Sequence, residues 1–401
     1  MRLSHRSVLL ALLLLLTGAR RLLAAPTPEQ LLQQGYDHFY NLEYDQALRD
    51  FEQLRRIEPT APSVWNHIAQ IMLYREMYRI GALESQLYGH GDPFLQEKLP
   101  PPSPQAEHDF EVNNGRALQL AQAAVNAHPN NAHARYDLAA AWALRGTYDF
   151  VLQRSYFGAL KDALKARKQA DQARRLDPHF VDPLLIVGAQ NYIAGSLPWT
   201  VKIMASLAGY SGNKQQGIAQ IREVTRHGEH GRTDALILLA VIERRDGWNR
   251  QVIPVLHQLK TMYPRNVLFA VEEAEATEAA GLHDAALQEY QTILQQARKG
   301  APGYQKTPVD KVWYDIGNIH RLFTRYAQAL AAYRQAIAAP RAQLRYQQAA
   351  SLAAAQVLDL MGQRPQAIAE YTRCVALRPD APAARAARRG LKQPYRRSGS
   401  K

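Results

Sequence analysis

His227, Glu229 and His230, in the run His-Gly-Glu-His-Gly, are the side chains best placed by type and spacing to start a metal site. A zinc site needs three or four ligands with a fixed geometry. No further ligand stands close in sequence and glycines flank the run, so it reads as a solvated turn. His128 and His133 bracket a Pro-Asn-Asn turn and read the same way. Cys374 is the single cysteine, which excludes an internal disulfide or a thiol pair, and it reads as packed core. The chain contains no His-Glu-x-x-His, no Gly-x-Ser-x-Gly, no phosphate loop ending in Gly-Lys-Ser/Thr, and no Gly-x-Gly-x-x-Gly followed by a strand pattern. The expectation is a protein without catalytic residues, bound metal or cofactor.

The elements that position everything else are repeats. Between Thr233 and Leu391 a small residue is followed 12, 4 and 8 positions on by a small or apolar residue, a large one and a helix stop. The copies read Ala240, Val252, Leu256, Pro264; Ala274, Ala286, Tyr290, Arg298; Gly317, Ala329, Tyr333, Arg341; and Ala355, Ala367, Tyr371, Pro379. Small residues let two antiparallel helices cross closely, so Gly317 and Ala329 should share one crossing and Ala355 and Ala367 another. The aromatic should then fill the gap to the next pair, and Pro264 and Pro379 should stop the second helix.

Gly35, Ala47, Phe51 and Pro59 form a first copy with the same steps. Three copies between are interrupted: Ala69 with Ala117, Ala121 and Pro129; Ala139 with Ala166, Ala170 and Pro178; Gly188 with Gly217 and Ile221. Each interruption falls between the two helices of its repeat, so the three insertions should project from one edge. The first carries Pro100, Pro101, Pro102 and Pro104 and reads as an extended loop. The second carries Tyr148, Phe150, Tyr156 and Phe157, an aromatic surface needing a partner. The third places Trp199, Ile203 and Leu207 on one helical face, a patch for neighbouring helices, a partner or a membrane surface.

These spacings, with Trp313 opening one copy, resemble the tetratricopeptide repeat (TPR) family, in its exported bacterial type. The resemblance implies an all-α fold, a right-handed α-solenoid of about eight helical hairpins with insertions in repeats 2 to 4. The repeats lie near 28–61, 62–131, 132–180, 181–232, 233–266, 267–300, 310–343 and 348–381. It also implies a concave groove lined by first helices that receives an extended or helical peptide. Carried onto this chain, the groove presents Tyr36, Phe39, Tyr40, Asn66, Gln70, Tyr74 and Tyr136. Tyrosine and asparagine suit peptide recognition, giving rigid amphipathic area with fixed hydrogen-bonding ends. Lys311, Tyr314, Asn318 and Arg321 share a face that resembles the family's carboxylate clamp, although Ala353 stands where a second asparagine is expected.

The formal charge of +13 is concentrated at the ends. Arg2, Arg6, Arg20 and Arg21 lie in the first 25 residues, and Arg385, Arg388, Arg389, Lys392, Arg396, Arg397 and Lys401 in the last 17, leaving a body close to neutral. That distribution argues against a nucleic-acid partner. Residues 1–25, with Arg2, His5 and Arg6 before the apolar run Val8 to Leu16 and Ala24-Ala25 before Pro26, read as a signal peptide directing export to the periplasm. Residues 26–391 read as the solenoid and 392–401 as a basic disordered tail. The expected function is a scaffold for protein–protein interaction or assembly of a cell-envelope complex. The alternative is a membrane-peripheral adaptor using residues 197–212 and the basic tail.

Overall fold

Thr27 opens the first helix with a capping box: its side chain accepts from the Gln30 amide at 3.2 Å, and the Gln30 side chain accepts from the Thr27 amide at 2.9 Å. The computed structural model describes residues 26–84, 99–197, 210–340 and 342–397. Among these, every regular element is helical. Consecutive helices pack as antiparallel hairpins: α1 (Pro28–Tyr40) with α2 (Tyr44–Ile57), α3 (Pro62–Arg79) with α4 (Pro104–Ala127), α5 (Ala132–Tyr148) with α6 (Tyr156–Leu176), and α7 (Pro183–Ser196) with α8 (Lys214–His227). The series continues with α9 (Arg232–Arg245) and α10 (Asn249–Met262), α11 (Val267–Ala279) and α12 (His283–Arg298), α13 (Val309–Leu322) and α14 (Tyr326–Ala338), and α15 (Leu344–Leu360) and α16 (Arg364–Leu377). A last helix, α17 (Pro382–Lys392), covers the end of the stack.

Five hairpins turn through a short link with one left-handed residue: Leu42, Gly247, Gly281, Thr324 and Gly362. Glycine adopts that conformation freely, whereas leucine pays about 1–2 kcal/mol. Leu42 (φ 61°) is therefore held by its surroundings, and its carbonyl accepts from the Lys306 ammonium.

The small and large repeat positions are buried as their spacing demands, and the aromatic packs within its own hairpin as well as toward the next. A Cβ on Gly317 would lie 2.5 Å from the Tyr333 ring, and one on Gly35 2.5 Å from Phe51. In these two copies the ring lies over the glycine of its own hairpin, in the room that the missing side chain leaves. Tyr371 also reaches forward, against Gly390 of α17. At Gly188 and Gly217 the backbones themselves meet: a Cβ on Gly217 would stand 2.6 Å from the Gly188 carbonyl oxygen.

Residues 80–103 join α3 to α4, and α4 itself runs for 24 residues. The third hairpin absorbs its extra length in the π-turn Asp149–Gln153 and a 21-residue α6. These neighbours touch, with Gln153 donating to Glu107 at 2.9 Å, Arg145 pairing with Glu111 at 2.6 Å, and Arg167 donating to the Ser211 carbonyl at 3.3 Å. Tyr148 is fully buried, stacked on Phe110 with centroids 4.1 Å apart, whereas Phe150, Tyr156 and Phe157 are exposed. The aromatic segment is therefore part core and part surface.

The stack curls back on itself. Arg265, in the turn after α10, pairs with Asp37 and Glu43, and its amide donates to Asn41 Oδ1 at 2.9 Å. Asn266 donates to the Tyr40 carbonyl at 2.8 Å, and Glu84 engages Arg345 and the Tyr346 hydroxyl. Ile237, Tyr263 and Leu268 pack against the apolar core of the first hairpins. First helices consequently face the inside of the curve.

The sequence places a disordered basic tail from 392 onward. In the structure Lys392 closes α17, and Tyr395 is pinned by Asp359 and Arg321, partners that no local pattern reveals.

Candidate functional site

Four hairpins bring polar and aromatic side chains to one place on the inner face. From α1 come Tyr36 and Tyr40, stacked at 6.1 Å; from α3 come His67 and Gln70. The Tyr36 hydroxyl lies 3.0 Å from His67 Nε2, the Tyr40 hydroxyl donates to Asp234 Oδ1 at 3.0 Å, and Gln70 reaches Asp234 Oδ2 at 3.4 Å. Tyr136 and Asp137 enter from α5, and Thr233 and Asp234 from α9. Tyr263 closes the group, its ring 5.0 Å from Tyr40 and its hydroxyl 3.0 Å from that of Thr233. Tyr36, Gln70, Tyr136, Asp137 and Asp234 remain half-buried.

The electrostatics are unusual for a surface this polar. Burial lifts the Asp137 carboxyl to about 7 and Asp234 to about 6. Among the described residues no cation pairs with either. Burial drives Tyr36 far up, helped by the nearby carboxylates of Asp234, Asp182 and Asp137, and lowers His67 to about 4. At neutral pH the site therefore holds an uncharged imidazole, intact phenols and carboxyl groups poised to ionise. An entering cation would meet aromatic faces and gain two carboxylates.

Of the groove residues named from sequence, Phe39, Tyr40 and Asn66 are 4–5% exposed and make internal contacts: Phe39 packs edge-on to Tyr74, and Asn66 donates to the Asp137 carbonyl at 2.9 Å. Tyr36, Gln70, Tyr74 and Tyr136 retain accessible surface.

Lys311 is corrected as a ligand-binding residue. Its side chain is 3% exposed and held by Glu275 and Asp315, leaving no ammonium for a partner's carboxylate. Tyr314 packs between Tyr333 and Tyr346, Asn318 accepts from the Tyr333 hydroxyl at 2.9 Å, and Arg321 donates to the Tyr395 hydroxyl at 3.2 Å. Trp199, Ile203 and Leu207 lie outside the described residues, as does the 1–25 segment.

His227, Glu229 and His230 are exposed, and their turn is tied down by Asp182, which accepts from the His230 and Gly231 amides at 3.2 and 3.1 Å. Among the described residues no three metal-ligating side chains come together, and no helix is long and apolar enough to cross a membrane.

Sequence reading missed His67, Asp137, Asp234 and Tyr263. His67 and Asp137 adjoin groove positions on α3 and α5 and could have been found by widening that face. Asp234 and Tyr263 are brought in only by closure of the curve.

The helical hairpins, their small-residue crossings and the inward first helices define an α-solenoid of the tetratricopeptide type. No protein-family profile matches the sequence, and no curated protein matches it. Solved structures do. The APC/C hetero-tetramer Cut9-Hcn1 is similar over 97% of this chain at 15% identity and a TM-score of 0.50, and this chain spans 60% of that one. Yeast Tom70 is similar over 91% of this chain and 89% of its own at 14% identity (TM-score 0.39). A thermophilic TPR protein of Thermus thermophilus is similar over 62% of this chain and 98% of its own at 14% identity (TM-score 0.34).

Proposed function

We propose that this protein is an exported, non-catalytic scaffold whose inner face holds a basic segment of a partner polypeptide in the assembly of a cell-envelope complex. One observation carries the reading: Asp137 and Asp234 sit half-buried among Tyr36, Tyr40 and Tyr136, with no cation paired to either carboxyl among the described residues. A lysine or arginine side chain satisfies that environment, supplying charge to carboxyls that burial keeps near neutrality and stacking against tyrosine faces. Export is supported by the charged start, apolar run and Ala-Ala ending of residues 1–25.

The test is a photoreactive phenylalanine analogue in place of Tyr136, irradiated in intact cells. The expected result is a discrete polypeptide adduct that Asp234→Asn suppresses. An adduct pattern indifferent to that substitution, or none at all, would refute inner-face binding. Recovery of the protein from the periplasm with Pro26 first would support export, and a cytoplasmic chain still carrying Met1 would oppose it.

A further inference from the structure

At the far end of the inner face the chain itself occupies a second seat. After α17 the chain leaves the helix at Gln393 with extended backbone, and among Gln393–Arg397 only Tyr395 is half-buried. Its amide donates to Asp359 Oδ2 at 2.7 Å, its hydroxyl accepts from Arg321 at 3.2 Å, and the Arg321 guanidinium lies 5.4 Å from its ring. The seat is built to receive it. The Asp359 side chain is wholly buried, fixed by Arg364 at 3.0 Å and by the Tyr371 hydroxyl at 2.9 Å, so its remaining acceptor capacity points at a backbone amide. Asn318, Leu322, Tyr326, Leu360 and Arg397 complete a cavity of about 280 Å³ beside the ring. Pro394 restricts the backbone and has no amide to satisfy, so little ordering is lost on docking.

We propose that this seat is a binding site for an extended Pro-Tyr segment followed by basic residues, and that the chain's own C-terminal segment occupies it in cis and so gates access. The contacts are those of a peptide in a groove: one amide, one aromatic hydroxyl, one ring face. Gln393, Pro394, Arg396 and Arg397 are exposed, whereas Tyr395 is half-buried in the seat. A tethered segment competes at an effective concentration on the order of 1 mM. A ligand in trans with a dissociation constant near 100 μM is then weakened roughly tenfold, which is the range of a switch rather than a permanent seal. The seat lies apart from Asp137 and Asp234, and its occupancy does not depend on what the inner face binds there.

The probe is a labelled peptide of residues 392–401, titrated by fluorescence anisotropy into the full chain and into its Tyr395→Ala variant. Tyr395 follows the last helix, and matching circular dichroism of the two chains checks that the helices are intact. The peptide should bind Tyr395→Ala at least about tenfold more tightly than the unaltered chain. Binding should be lost when Tyr395→Ala is made in the peptide, and weakened several-fold when Arg321→Ala is added to the receptor. Equal affinity for both chains, no binding to either, or indifference to the peptide tyrosine would each overturn the proposal.

Discussion

The Tyr40 hydroxyl donates to the Asp234 carboxylate at 3.0 Å across 194 positions of sequence. It joins the first hairpin to the fifth, and the same contact helps fill and shape the inner face. Closure and site are thus one construction: α1 supplies Tyr36 and Tyr40, α9 supplies Asp234, and neither hairpin makes the site alone.

The clasp beside that bond is testable through Arg265. Its guanidinium engages Asp37 and Glu43 with a side chain about 30% exposed, so water discounts the ion pairs. Arg265→Ala should cost about 1–2 kcal/mol in urea unfolding and increase the radius of gyration in X-ray scattering. A variant as compact and as stable as the original would show that the clasp contributes nothing to closure.

Gly217→Ala tests the crossing of α7 and α8. Its new Cβ would stand 2.5 Å from the Tyr192 amide nitrogen and 2.6 Å from the Gly188 carbonyl oxygen, and backbone atoms cannot step aside as a flexible side chain can. The expected loss is about 2–3 kcal/mol. Gly281→Ala, where a Cβ meets nothing within 4 Å but φ is +82°, should cost only the left-handed strain of about 1 kcal/mol. Equal losses at the two sites would contradict the packing described.

Much of this was legible in the chain. The 12, 4, 8 rhythm located helix pairs and their crossings because close packing demands small residues at fixed intervals. Interrupting lengths were legible as lengths but not as structure, since the π-turn and the added turns of α6 carry no distinct periodicity. Inner-face tyrosines were found, yet their carboxylate company was not, because Asp234 and Tyr263 arrive from repeats far along the chain. Lys311 shows the same limit: helical spacing set it in line with Tyr314, Asn318 and Arg321, while the carboxylate of Glu275 on α11 decided what it does.

That buried ion cluster yields a further expectation. Lys311, Glu275 and Asp315 have side chains 3%, 4% and 12% exposed. Lys311→Met keeps the length but leaves the buried Asp315 without its cation, while Glu275 keeps Arg244 at 3.1 Å, and should cost about 3 kcal/mol in chemical denaturation. A loss under about 1 kcal/mol would mean that the cluster is hydrated in solution.

Stability should also carry a signature of Asp137. Burial raises its carboxyl from 3.8 to about 7, so between those pH values the folded chain holds a proton that the unfolded chain releases. Its contribution is complete below about pH 4 and is lost as pH rises through 7; Asp234, raised to about 6, adds to the lower part of that fall. Relative to the unaltered chain, Asp137→Asn should melt higher at pH 8 and no higher at pH 4. Thermal scans at the two pH values decide it, and a shift independent of pH would remove Asp137 from the account.

The most direct measurement is calorimetric titration of the protein with a decalysine peptide near pH 6.5, repeated in buffers of different ionisation enthalpy. If the inner face receives basic polypeptide, the peptide binds and protons are released as Asp137 and Asp234 ionise; Asp137→Asn with Asp234→Asn abolishes that release and weakens binding at least tenfold. Binding without proton release, binding unchanged in the double variant, or no binding would contradict the account.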